Sequence, residues 1–181
     1  QLLGASSVSE YNIVFKLFSI LTVGFGIIMT PLWSAFTDAY VKKDVKWITT
    51  TITKLNILMI PVTIGLILFS IFYQEILNIW LANSQEITPS LELILSFSVF
   101  IFISIWNNIY AFFLNSVSET KLQVRTAIAG ALLNVPLAYF FVKIMGFGLP
   151  GIVWSMSVSL GIFSVFGSVK SFKVLKKIQN E

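Results

Sequence analysis

The sequence predicts an all-α integral membrane fold of about five spanning helices. Three observations predict it: 56% of the 181 residues are hydrophobic, only 11% are charged, and the apolar residues fall in unbroken runs. A water-facing domain carries about 25% charged residues. A chain with so few cannot cover a water-facing surface, so its main solvent is lipid. The mean hydropathy of +0.88 agrees. A helix crossing about 30 Å of hydrocarbon needs roughly 20 mostly apolar residues. The runs at 11–35, 52–73, 91–114, 122–142 and 152–172 meet that length. Strands of a membrane barrel would be shorter, alternating and separated by turns.

Before the first run, residues 1–4 (QLLG) and the polar turn Ala5, Ser6 and Ser7 read as the tail of a preceding element. The chain starts at Gln1, so it is expected to be a piece of a longer one. Between the second and third runs, residues 75–81 are apolar but too short to cross, which fits an interfacial helix. Asn83 and Ser84 open a polar loop that Pro89 closes. The fourth and fifth runs meet at Gly146, Gly148, Pro150 and Gly151, a tight hairpin signal.

Loop cations set an orientation. Lys42, Lys43 and Lys46 fill the first connection, with Lys54 at the start of the next helix; Lys121 and Arg125 mark the third. Lys170, Lys173, Lys176 and Lys177 mark the tail. The second connection has only Glu75 and Glu86, and the fourth only Lys143. By the positive-inside rule the first and third connections and the C-terminus are cytoplasmic, and the N-terminus is outside. The Trp and Tyr residues fall near the ends of the runs: Trp33, Tyr40, Trp47, Trp106 and Tyr110 towards the inner boundary, Tyr11, Tyr73, Trp80, Tyr139 and Trp154 towards the outer. The net charge of +4 therefore reads as helix flanks and anionic-lipid attraction, with no nucleic-acid partner.

With no Cys and no His, thiol chemistry, disulfides and the usual zinc sites are excluded, as is His-based acid–base catalysis. No paired carboxylates lie deep in a run, and Glu92, at the start of the third, reads as solvated. No catalytic residue, metal site or cofactor is expected. Lys16 is the most informative side chain. An intramembrane charge is costly unless it snorkels, pairs or faces water. Lys16 either lines a hydrated cavity that attracts an anionic group such as a phosphate, or snorkels to the headgroups from about 8 Å of helix rise past Tyr11. Asn12 shares its face four residues earlier and holds either a polar ligand or a neighbouring helix.

Asn56, Asn107, Asn108, Asn115 and Asn134 are spread over three runs. Helix packing is their favoured reading, and a polar lining for sugar hydroxyls, with Asn108 and Asn134 as its members, is the functional one. Adjacent Asn107 and Asn108 point about 100° apart, so one of them at most is expected to face a given cavity. Pro31, Pro61 and Pro136 are candidate hinges or static kinks. Gly24, Gly26, Gly130, Gly161 and Gly167 are expected to allow close helix approach.

The stretch PLWSAFTDAY at residues 31–40, followed by the basic, Trp-containing KKDVKWI at 42–48, resembles a block of bacterial polysaccharide biosynthesis flippases. Those are the O-antigen-type members of the multidrug/oligosaccharidyl-lipid/polysaccharide exporter superfamily. YNIVFK at 11–16 is similar to the opening of that family's eighth helix. The resemblance implies most of the C-terminal six-helix lobe of a transporter of about twelve spans, in the bacterial inner membrane, whose missing N-terminal lobe belongs to the same chain. It implies flipping of an undecaprenyl-diphosphate-linked glycan for surface polysaccharide such as lipopolysaccharide, with Lys16 and Asn12 facing a cationic cavity while the lipid tail stays among membrane lipid. Multidrug or lipid II export within the same superfamily is the alternative. A membrane glycan enzyme would need large loops with catalytic clusters, and a non-catalytic assembly subunit would need no polar lining.

Because the chain lacks cysteine, single cysteines report topology without background. A cysteine at position 43 is expected to react with a membrane-impermeant maleimide only in inverted vesicles, and one at position 147 only in intact spheroplasts. The opposite pattern overturns the orientation.

Overall fold

A computed structural model describes residues 5–80 and 89–180. The expected tail of a preceding element at 1–4, the polar loop of Asn83 and Ser84, and Glu86 lie outside the described residues. Six α-helices follow in order: α1 (Ala5–Val41), α2 (Val45–Ile71), α3 (Tyr73–Trp80), α4 (Leu91–Ser116), α5 (Lys121–Tyr139) and α6 (Gly148–Asn180). A π-helical segment, Phe140–Ile144, extends α5. Among the described residues, five helices are long and apolar enough to cross a membrane. α3 is the short apolar helix expected after the second span, with Leu77 buried and Ile79 exposed.

The helices overrun the apolar runs. α1 starts at Ala5, so the polar turn read at Ala5, Ser6 and Ser7 is helical instead, and it extends to Val41; α2 starts at Val45 instead of residue 52, and α6 continues to Asn180. Hydropathy measures the stretch that lipid can solvate, whereas backbone hydrogen bonding carries a helix on into polar flanks. The two basic turns share one device. At the end of α1, Lys43 takes a left-handed φ of 55°; its N–H reaches the Tyr40 carbonyl (3.1 Å) and the Asp44 N–H reaches that of Ala39 (2.9 Å). At the end of α4, Ser118 (φ 60°) and Glu119 repeat this pair on Asn115 and Leu114 (3.1 and 2.8 Å). This reciprocal bonding satisfies the last helix carbonyls. Asp44 then caps α2, accepting from the Trp47 N–H at 2.9 Å. At the opposite end Gly146 and Gly148 supply the positive φ angles, and Pro150 falls in the first turn of α6, where no backbone donor is needed.

α4 is the mast of the bundle. Leu93, Ile94, Phe97, Ile101, Ile105 and Phe113 are all buried on it, and α1, α2 and α6 pack around it. Long-range bonds fix which ends lie together. The Thr37 hydroxyl donates to the Ser116 carbonyl (3.0 Å), and Lys170 pairs with Glu119 (2.9 Å), so the end of α1, the α4–α5 turn and α6 meet at the basic end. At the other end the Glu10 carboxylate accepts from the Ser90 N–H (3.3 Å), and the Tyr11 hydroxyl meets Met156 Sδ (3.6 Å). The helices therefore alternate in direction, as the loop charges require.

Helix approach does not follow the expected glycines throughout. A Cβ on Gly130 of α5 would meet the Ser159 carbonyl oxygen of α6 at 3.1 Å, a close helix approach, whereas one on Gly167 would meet the ring of Phe163, four residues earlier on the same helix, at 2.7 Å, so the crowding there lies within α6. Gly151, not expected to do so, would press a Cβ against the Phe141 backbone at 3.0 Å. Around Gly24, Gly26 and Gly161 nothing lies within 4 Å, which corrects the reading of close approach there. A glycine's spacing in a helix cannot say whether a neighbour faces it.

Replacing Lys43 or Ser118 by glycine removes left-handed strain and is expected to stabilise the detergent-solubilised protein by about 0.5–1 kcal/mol. Gly130→Val is expected to destabilise it by about 1–3 kcal/mol through overpacking. Thermal unfolding of the three variants measures both.

Candidate functional site

A cavity of about 680 Å³ opens between α1, α4, α5 and α6, near the middle of the spans. α1 contributes Phe15, Ser19 and Thr22, and α4 contributes Ser104, Asn107 and Asn108. Gln123, Thr126, Gly130 and Asn134 come from α5, and Met156, Ser159 and Phe163 from α6. No charged side chain lines it among the described residues. Its polar groups are amides and hydroxyls, which both donate and accept hydrogen bonds.

Several of these groups are already engaged in packing. Asn107 is buried; its amide donates to the Leu160 carbonyl (3.0 Å) and its oxygen accepts from the Ser164 hydroxyl (2.7 Å), tying α4 to α6. Gln123 donates to the Ala111 carbonyl at 3.1 Å, and Thr126 to the Leu122 carbonyl at 2.9 Å. Asn134 makes one long bond, 3.4 Å, to the Ser155 hydroxyl. The Asn108 side chain has no hydrogen-bond partner among the described residues, and Ser159 Oγ is a buried hydroxyl without one. A buried polar group left unpaired is costly, so Asn108, Ser159 and the remaining capacity of Asn134 are where this wall can still accept a ligand.

Of the four expected binding residues, the cavity brings together Asn108 and Asn134. Lys16 and Asn12 are exposed on α1 beside the lining residues Phe15 and Ser19, and outside the lining itself. Lys16 has no ion-pair partner among the described residues. Asn107 and Asn108 both reach the cavity, against the expectation that one at most would; Asn107 does so with its amide turned onto α6. Asn56 is a packing residue. Its oxygen accepts from Trp106 Nε1 (3.1 Å) and the Tyr110 hydroxyl (3.2 Å), and its amide donates to the Ile52 carbonyl (2.8 Å). Trp106 and Tyr110 thus lie in a helix interface; the interface belt read from sequence does not account for them.

Sequence reasoning passed over the hydroxyls. On α1 the polar residues Asn12, Lys16, Ser19, Thr30, Ser34 and Thr37 recur at steps of three, four or their sums, which places them along one side of the helix. Ser19, Thr30 and Ser34 return their own protons to α1 carbonyls at 2.7, 2.8 and 3.2 Å. Their oxygens still offer lone pairs. The signal was present in the spacing and hidden by the neutrality of Ser and Thr on hydropathy scales.

The MatE family model matches residues 1–140. No curated protein and no solved structure matches the chain significantly.

The two neighbouring asparagines separate packing from lining. Asn107→Leu is expected to lower stability by about 1–3 kcal/mol, because the Leu160 carbonyl and the Ser164 hydroxyl lose their partner. Asn108→Leu is expected to leave the melting temperature within about 2 °C of wild type. Equal losses in the two variants would overturn the distinction.

Proposed function

The chain belongs to the MatE family of the multidrug/oligosaccharidyl-lipid/polysaccharide exporter superfamily, whose members are transporters, and from that premise we propose that it carries a lipid-diphosphate-linked oligosaccharide across the bacterial inner membrane for surface polysaccharide synthesis. The observation that carries this reading is an unpaired, exposed Lys16 beside an uncharged cavity of amides and hydroxyls. The substrate has two chemistries in one head: a diphosphate that wants a cation, and sugar hydroxyls that want groups able both to donate and to accept. Lys16, with Asn12, would take the diphosphate. Asn108, Asn134 and Ser159 would take hydroxyls. A second lobe, outside residues 1–181, would close the other side of the cavity and complete the translocation path.

Multidrug export is the competing reading, favoured by the aromatic walls Phe15, Phe100 and Phe163. A cationic drug is held best where a carboxylate faces it, and among the described residues none lines the cavity. No cation lines it either, so the preference for an anionic, hydroxyl-rich cargo rests on Lys16 beside the cavity. The chemistry is binding and release, with the diphosphate bond intact throughout.

In cells carrying the full-length gene, Lys16→Gln is expected to cut delivery of lipid-linked glycan to the outer leaflet by about tenfold or more, as loss of one partly desolvated charge pair implies. Lys16→Arg is expected to retain most of it, with protein levels unchanged in both. Normal glycan export by Lys16→Gln, or loss of drug resistance with glycan export intact, would sink the proposal.

A further inference from the structure

A second groove lies between α1 and α2 and has none of the amide and hydroxyl side chains that line the cavity. It has a volume of about 590 Å³ and runs from Leu17 and Phe69 to Ile28 and Leu58. Its walls are almost wholly apolar, and it is floored by Ile105 of α4. Gly24 and Gly65 line it from opposite helices, and a Cβ on either would meet nothing within 4 Å. These glycines hold a channel open where larger side chains would close it. Leu17 to Ile28 is about 17 Å of helix rise, close to half of a hydrocarbon core of about 30 Å. That is the depth reached by the tail of a lipid from one leaflet.

The basic end of the groove is marked by charge. Lys54 precedes Leu58 by four residues on the continuous helix α2, so both lie on the groove side, separated by about 6 Å of rise. Lys54 is exposed and has no ion-pair partner among the described residues. Trp47, a further turn and more towards the same end, lies on the same side of α2 and is exposed. An interfacial tryptophan, a free cation and a tail-length apolar channel in one register are the parts of a lipid site. A further apolar groove, between α2 and α4, lacks this charge: its α4 wall begins at Leu91, beside the exposed carboxylate of Glu92, which would repel an anionic head.

We propose that the α1–α2 groove is a binding site for one anionic glycerophospholipid, its phosphate at Lys54 and one acyl tail lying past Gly65 and Gly24. The site is independent of the transport reading. It gives the lobe a resident lipid, drawn from the leaflet at its basic end.

The test is native mass spectrometry of the detergent-purified full-length protein, titrated separately with phosphatidylglycerol, phosphatidylcholine and undecaprenyl phosphate. One tight phosphatidylglycerol is expected, weakened about fivefold by Lys54→Gln and about tenfold or more by Gly65→Phe. Lys43→Gln, in the exposed α1–α2 turn, is expected to bind as wild type does. If Gly65→Phe lowers the melting temperature, Gly24→Phe carries the same expectation from the facing wall. Equal binding of phosphatidylcholine, or unchanged binding by Lys54→Gln, overturns the headgroup assignment. Unchanged binding by folded groove-filling variants overturns the groove. Displacement of phosphatidylglycerol by undecaprenyl phosphate at lower concentration overturns the choice of a glycerophospholipid and gives the channel to an isoprenoid tail.

Discussion

The bundle hangs on amide side chains that grip α4 from two sides. Asn56 on α2 accepts from Trp106 and Tyr110, and Asn107, the residue after Trp106, bonds twice to α6. In lipid the apolar surface of a helix gains little by leaving its solvent, since acyl chains are as apolar as leucine. Shape and interhelical hydrogen bonds therefore decide which helices meet. α4 is buried along most of its length, and these two adjacent clamps, with the Ser98–Ser70 hydroxyl contact nearer its start, fix its rotation. Rotation in turn puts Asn108 and Ser104 towards the cavity and Ile105 towards the lipid groove.

The same constraint explains the division of labour around α1. Its buried side, with Val14, Phe18, Phe25 and Met29, packs by shape alone. Its polar stripe from Asn12 to Ser34 is turned away from that side, and Thr37 at its end reaches the Ser116 carbonyl of α4. The Ser19, Thr30 and Ser34 protons are absorbed by α1's own carbonyls, which removes their cost in hydrocarbon while leaving acceptor lone pairs outward. Lys16 cannot be neutralised in that way. On the transport reading it is balanced by the charge of what it binds, and between turnovers by water or headgroups.

How far the chain could be read from sequence follows from what each signal measures. The five spans and their alternation were legible because lipid solvation demands long apolar runs and loop charges mark sides. The capped turns were not. Lys43 and Ser118 occupy left-handed positions that glycine usually signals, so nothing in residue type announced them. The asparagines were legible as polar residues in spans, but their roles depend on helix rotation. Asn56 and Asn107 became clamps, and Asn108 and Asn134 became lining. Glycine gave the least reliable signal. Gly130 marks a contact and Gly24 an opening, and the two look alike in the sequence.

The prolines show where motion can enter. Pro31 lies between two tethers of α1, the Tyr11–Met156 contact and the Thr37–Ser116 bond. Pro61 lies between the Asn56 clamp and the Ser70–Ser98 hydroxyl contact at 2.9 Å. Each of these two prolines thus sits in a stretch of helix tethered on both sides. Pro136 differs: four residues later the helix loosens into the π-helical Phe140–Ile144, and α6 presses on that segment at Gly151. A π-helical turn is a weaker geometry, often found at functional positions. Asn134 sits two residues before Pro136 and lines the cavity. Beside the polar cavity, α5 is tied before Pro136 by Gln123 to α4 and by Asn134 to α6, and after it by the packing of Gly151 on the π-helical segment.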